Sequence, residues 1–284
     1  MKTIPFILAF TIICFSAICK ETIYHGSTPA HPDVRDFLGI SLSDSLDFIR
    51  WNVVMGEDRY QLNCQYGLSK ANTNGFINEK KVAFSGPLSK QGYYYHLQKG
   101  NKTFYVKEIN SNLLHLLDKN KAMLIGNGGY SYALNIDKPI KTGHLNLQVK
   151  QAPPEYYMAF QGRTPCQPLA KLLAQNKGPE CIKMKWYIIL YIDSVTKKPT
   201  YYLKGGMGYR KETMAKGNWE ITQGKDGRVI YKLDPEKKVN AVYLVKADDN
   251  ILFFTDSEGN LLVGNEDFSY TLNRTKDMEP LARK

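Results

Sequence analysis

NSNLLHLLDKNKAMLIGNGGYSYALN, Asn110 to Asn135, lies over DDNILFFTDSEGNLLVGNEDFSYTLN, Asp248 to Asn273, without a gap. Ten aligned positions are identical, among them Asn112 with Asn250, Asp118 with Asp256, Gly126-Asn127 with Gly264-Asn265, Ser131-Tyr132 with Ser269-Tyr270, and Leu134-Asn135 with Leu272-Asn273. Self-similarity of this kind divides a chain into structural units before any strand is assigned. Working outward, Gly26-Ser27-Thr28-Pro29 with Pro32 matches Gly162-Arg163-Thr164-Pro165 with Pro168. Between these anchors Ile49, Trp51, Val53 and Met55 alternate as Met184, Trp186, Ile188 and Leu190 do. The 284 residues therefore read as an export segment, 1–19, a first domain, 20–137, a linker, 138–154, a second domain, 155–276, and a tail, 277–284. Leu145, Leu147 and Val149 alternate within the linker, leaving open a closing strand for the first domain.

Apolar residues in both copies recur at a spacing of two, which puts one face of each strand in a core. In the second copy this predicts strands near 156–161, 183–193, 199–204, 218–222, 228–233, 241–246, 250–255 and 268–273. Short turns such as Lys225-Asp226-Gly227 and Ser257-Glu258-Gly259-Asn260 separate them. Sequential short strands with tight turns predict an all-β protein of two tandem antiparallel meanders, each closed into a small barrel that leaves no free edge. One short helix per domain is expected after the Gly-x-Thr-Pro signal. Thr28 or Thr164 would cap it, and Pro29 or Pro165 would take its first position. Val34, Phe37 and Leu38, or Leu169, Leu172 and Leu173, would then plug one barrel end.

Met1-Lys2 followed by the apolar run from Ile4 to Ile18 reads as an export signal too short for a membrane span. Two endings fit: cleavage after Cys19, or lipidation of Cys19 as the first mature residue. Both place the protein outside the cytoplasm, free or tethered by lipid alone. The formal charge of +11 is spread evenly, each half carrying a surplus of five. An even surplus without a basic tail argues for solubility and weak attraction to anionic surfaces, and against a nucleic-acid partner.

Three cysteines lie beyond the signal. Cys64 shares the alternating face of Tyr60 and Leu62 and reads as a buried, inert thiol. Cys166 falls on Ala30 and Cys181 on Leu46, so both are missing together from the first copy. In an oxidising compartment that pattern predicts a disulfide, with a thiolate metal or redox site as the alternative.

A search for catalytic chemistry returns nothing assembled. The five histidines all lie in the first copy or the linker. His115 falls on Phe253, and His96 stands between the strand residues Tyr95 and Leu97. His25 and His31 flank the first Gly-x-Thr-Pro signal and, with Cys166 and Cys181, are the candidate metal ligands, although two imidazoles fall short of a four-ligand set. Asp248-Asp249 occupy a turn, where neighbouring carboxylates face different ways. The Gly-Asn-x-x-aromatic-Ser-Tyr-x-Leu-Asn string occurs twice, which argues for scaffold: a turn with positive φ at Gly126-Asn127 and Gly264-Asn265, then a closing strand. Sequons stand at Asn101 and Asn273.

The second copy, through Gly162-Arg163-Thr164-Pro165-Cys166, Trp186, Gly217-Asn218-Trp219, Tyr231-Lys232-Leu233 and Tyr270-Thr271-Leu272-Asn273, resembles the N-terminal domain of NlpE-type bacterial envelope lipoproteins. The resemblance implies a lipocalin-like barrel and a non-enzymatic role in copper resistance or envelope-stress sensing. It also implies partners at the membrane surface, reached through a lipid anchor, or among envelope proteins. The family's Gly-x-x-Pro-Cys-x-x-Cys signature is half present, since Leu169 stands where the second cysteine belongs, and Cys181 is left as the replacement partner of Cys166. No cofactor is expected, with copper as a third reading. Carriage of a small apolar ligand inside a barrel is the alternative function.

Overall fold

The computed structural model describes residues 21–142, 144–147, 155–205, 214–224, 227–237 and 241–275. The export segment, Cys19, Val149 and the tail lie outside them. Two closed barrels of eight antiparallel strands stand in tandem, as the duplication predicts. The first comprises β1 (Thr22–Thr28), α1 (Pro32–Leu38), β2 (Phe48–Met55), β3 (Arg59–Ser69), β4 (Phe76–Gln91), β5 (Tyr94–Lys99), β6 (Lys102–Asn110), β7 (Leu113–Leu116) and β8 (Ala133–Ile136). The second repeats that order as β9 (Tyr157–Pro165), α2 (Gln167–Leu172), β10 (Lys183–Ile192), β11 (Pro199–Gly205), β12 (Ala215–Gln223), β13 (Val229–Leu233), β14 (Val242–Lys246), β15 (Ile251–Thr255) and β16 (Thr271–Arg274). Each strand pairs with the next, and closure comes from β8 on β1 and β16 on β9.

Closure explains the Gly-x-Thr signal residue by residue. A Cβ on Gly26 would stand 2.7 Å from the carbonyl oxygen of Ala133, and one on Gly162 would stand 2.5 Å from that of Thr271. Only a bare backbone lets the first and last strands meet there. Two residues on, the threonine hydroxyl accepts the indole N–H of the core tryptophan, Trp51 to Thr28 at 2.8 Å and Trp186 to Thr164 at 2.9 Å. A buried indole needs such a partner, and both barrels supply it from the same position.

That duty corrects the expected helix starts. The threonines are strand residues, so the helices begin later, with His31 and Cys166 at the N-cap positions. His31 Nδ1 accepts the backbone N–H of Asp33 at 3.2 Å, whereas Cys166 makes no side-chain cap. Val34, Phe37 and Leu38 enter the first core as predicted, and Phe37 stacks on Phe104 at 5.0 Å. In the second barrel Leu169 and Leu173 enter the core, but Leu172, the last residue of α2, is 37% exposed. Lys99 donates to the carbonyls of Phe37 and Leu38, satisfying the end of α1.

The described part of the linker, residues 144–147, carries no strand: Asn146 N–H donates to the Ile109 carbonyl of β6 at 2.7 Å, and Leu145 and Leu147 pack between the two barrels. Cys64 faces the first core, fully buried, and burial pushes its thiol pKa well up, as expected of an inert cysteine.

Candidate functional site at the seam between the barrels

The repeated string forms the closing region of each barrel and also half of a seam that joins them. Its turns are Asx turns. Asn127 Oδ1 accepts the N–H groups of Gly129 and Tyr130, and Asn265 Oδ1 accepts those of Asp267 and Phe268, at 2.9 to 3.1 Å. Because the side chain completes the turn, no positive φ is required at Gly126-Asn127 or Gly264-Asn265, and none occurs; Gly128 carries one in the first turn, and its equivalent Glu266 does not. The repeated glycines serve close approach. A Cβ on Gly126 would stand 2.8 Å from Asn273 Nδ2, and one on Gly264 would stand 2.9 Å from Asn135 Nδ2.

Those contacts are reciprocal. Asn135 Oδ1 accepts the N–H of Gly264 at 2.9 Å, and Asn273 Oδ1 accepts the N–H of Gly126 at 2.7 Å. Residues on the local two-fold axis meet their own repeat equivalents: Ser131 and Ser269 hydroxyls at 2.5 Å, Tyr130 and Phe268 rings at 6.1 Å, and His115 and Phe253 rings at 6.2 Å. This is an isologous interface made within one chain. Ile109, Leu113 and Ala133 pack there against Val245, Ala247, Ile251, Phe253 and Leu261, with Leu145 between.

Departures from the symmetry lie mostly on one side. Asn135 Nδ2 donates to Asn265 O at 3.1 Å, but Asn273 Nδ2 has no acceptor among the described residues. Arg50 pairs with Asp267, and Asn74 from the β3–β4 hairpin donates to the same carboxylate at 2.7 Å. The equivalent positions in the other direction hold Lys185 and Gly129, which cannot form that pair. An aromatic ladder of Phe76, Phe48, Tyr130 and Phe268 runs beside it from the hairpin into the second barrel.

His115 is the one fully buried imidazole of the seam. Its Nδ1 lies 2.9 Å from the carbonyl of Leu116 while Nε2 has no partner among the described residues, and burial pushes its pKa down to about 3. Beside it in register stands Lys107, half-buried, whose pKa is lowered by the same desolvation.

Open clefts border the seam. One of 210 Å³ is lined by Tyr93, Tyr94, Lys107, His144, Asn146 and Arg228 among others. A second, of 680 Å³, shares His144 and Arg228 with it and runs over Tyr243, Glu220 and Lys232 of the second barrel. A third, of 440 Å³, includes His25, Arg50, Lys81 and Glu266.

The candidate metal ligands are not brought together. His25 Nδ1 lies 3.8 Å from Asp137 Oδ1, whereas His31 caps α1 and meets the ring of Tyr132 edge-on. Cys166 and Cys181 form the disulfide the duplication predicts, with Cα atoms 5.7 Å apart. The bridge shares the walls of an open cleft with Val263, Gly264 and Asn265 of the seam turn. Among the described residues no group of three or more His, Cys, Asp and Glu side chains converges. The sequon asparagines differ: Asn101 is exposed in a hairpin, and Asn273 is buried in the seam. Sequence reasoning missed the seam, although its signal was present in the identical polar residues Ser131, Asn135, Ser269 and Asn273, which strand pairing alone does not demand.

Fold and seam together define a class, a fused pair of eight-stranded antiparallel barrels joined through an internal two-fold. Family models, curated proteins and solved structures offer no match to the chain.

Proposed function

We propose that this is a non-enzymatic, exported protein of the bacterial envelope, resembling the NlpE type, that acts by binding or sensing on the outside of its paired barrels at the membrane surface. One observation carries the reading. Among the described residues both barrel interiors are packed with their own large side chains, Trp51, Phe37, Phe104 and Leu62 in the first and Trp186, Trp219, Tyr231 and Phe254 in the second, while the clefts considered above open along the seam. A barrel that carries an apolar ligand keeps that space free. The lipid tether on Cys19 belongs to the same reading.

An apolar fluorophore titrated into the mature protein tests it. The expected result is no saturable uptake, and stoichiometric binding with blue-shifted emission would instead establish carriage. Mass spectrometry of the native N-terminus decides the anchor: acylated Cys19 supports a membrane-surface role, and a chain starting at Lys20 removes the tether from the proposal.

A further inference from the structure

The 210 Å³ cleft has features that the fold does not need. Lys107 projects from the middle of the first barrel's wall, cross-strand to Tyr94 on one side and His115 on the other. Its ammonium has no hydrogen bond or ion pair among the described residues, and the carboxylate that acts on it from a distance, Asp248, belongs to the opposite barrel and is half-buried. A half-buried cation without a direct hydrogen-bonding partner can receive an anion. Arg228 reaches the same cleft from the second barrel, with Nη1 3.4 Å from the carbonyl of Gly259.

The second feature is Tyr93, 48% exposed on a hairpin turn, with its ring 6.5 Å from that of His144 at the mouth. An exposed tyrosine beside polar groups offers a flat face for a ring that is apolar on one side and hydroxylated at its rim.

We infer that this cleft binds an acidic saccharide, with a carboxylate held by Lys107 and Arg228 and the sugar ring lying on Tyr93. The cleft takes one sugar ring, and the 680 Å³ groove that continues past His144 and Arg228 takes the rest of an oligosaccharide. The net charge of +11 favours the approach of such an anion. This assignment rests on the reading of the seam exterior as the working surface.

The test is calorimetric titration of the full mature chain with trigalacturonic acid, a neutral galactose trisaccharide and inorganic phosphate. Saturable one-to-one binding of trigalacturonic acid is expected, at least about tenfold tighter than either control and weakening as salt is raised. Lys107→Met should weaken it about tenfold, and Tyr93→Ala by about threefold to fivefold, with thermal unfolding of the exposed Tyr93 variant unchanged. No saturable binding of trigalacturonic acid, equal binding of the neutral sugar or of phosphate, or undiminished binding by both variants would each overturn the inference. Failure here leaves the fluorophore result standing, so it is separable from failure of the broader reading.

Discussion

His115 and Phe253 occupy the same position in the two barrels and face each other across the seam. The first barrel puts an imidazole there whose Nε2 has no partner among the described residues, and the second a ring with nothing to satisfy. The second barrel also carries the Cys166–Cys181 bridge where the first has Ala30 and Leu46, while the first reaches across with Arg50 and the β3–β4 hairpin. The copies therefore keep in common what closes a barrel and what joins the pair. They differ in what supplements each: a covalent staple on one side, and polar reach with an acid-sensitive group on the other.

Removing the staple should break the comparison most. Cys166→Ser with Cys181→Ser is expected to cost the second barrel roughly 3 kcal/mol, from the unfolded-chain entropy released by opening a loop of 15 residues. Denaturant unfolding followed separately at Trp51 and at Trp186 plus Trp219, after Trp→Phe replacement at the others, should show the loss in the second barrel first. A loss in the first barrel first would mean the bridge does not act where it lies.

Next comes pH. Burial holds the folded His115 at about 3, below its ordinary value of 6.5, so between those limits the unfolded chain binds a proton that the folded chain does not. Its contribution is therefore complete above pH 6.5 and is lost as pH falls toward 3, by about 1.4 kcal/mol per unit through the middle of that window. His115→Phe should remove that slope and, by deleting an unsatisfied nitrogen, leave stability at pH 7 unchanged or higher by about 1 kcal/mol. Urea unfolding of both proteins at pH 7 and pH 4.5 makes the comparison; identical acid losses would contradict it.

A smaller contrast separates the two seam asparagines. Asn135→Ala removes two hydrogen bonds to the opposite turn and Asn273→Ala removes one, so costs of about 2 and about 1 kcal/mol are expected. Equal costs in chemical denaturation would show that the asymmetry in the amide groups carries no energy.

The strands and the duplication were readable because alternation at a spacing of two is imposed directly by one buried face. The disulfide was readable because the first copy served as a control for the second. The helix starts were misread because Thr-Pro has two meanings, and here Thr28 and Thr164 are spent on tryptophan indoles. Positive φ at the repeated Gly-Asn was misread because an asparagine side chain can complete a turn without it. The seam lay outside sequence reach for another reason. Aligning Asn135 with Asn273 shows that they are equivalent, but only the fold shows that each binds the glycine of the other copy. The cleft at Lys107 depends on the same packing, since Asn146, which helps to line it, comes from a linker in which the alternation had only left a closing strand open.

The central claim is that the repeated string locks two barrels together reciprocally, each asparagine holding the opposite glycine. Hydrogen exchange at the Gly126 and Gly264 amides tests it directly. Both amides should be protected in the natural chain, with Asn273→Ala exposing Gly126 alone and Asn135→Ala exposing Gly264 alone. Rapid exchange of both amides in the natural chain, or loss of protection at the wrong glycine, would contradict the account.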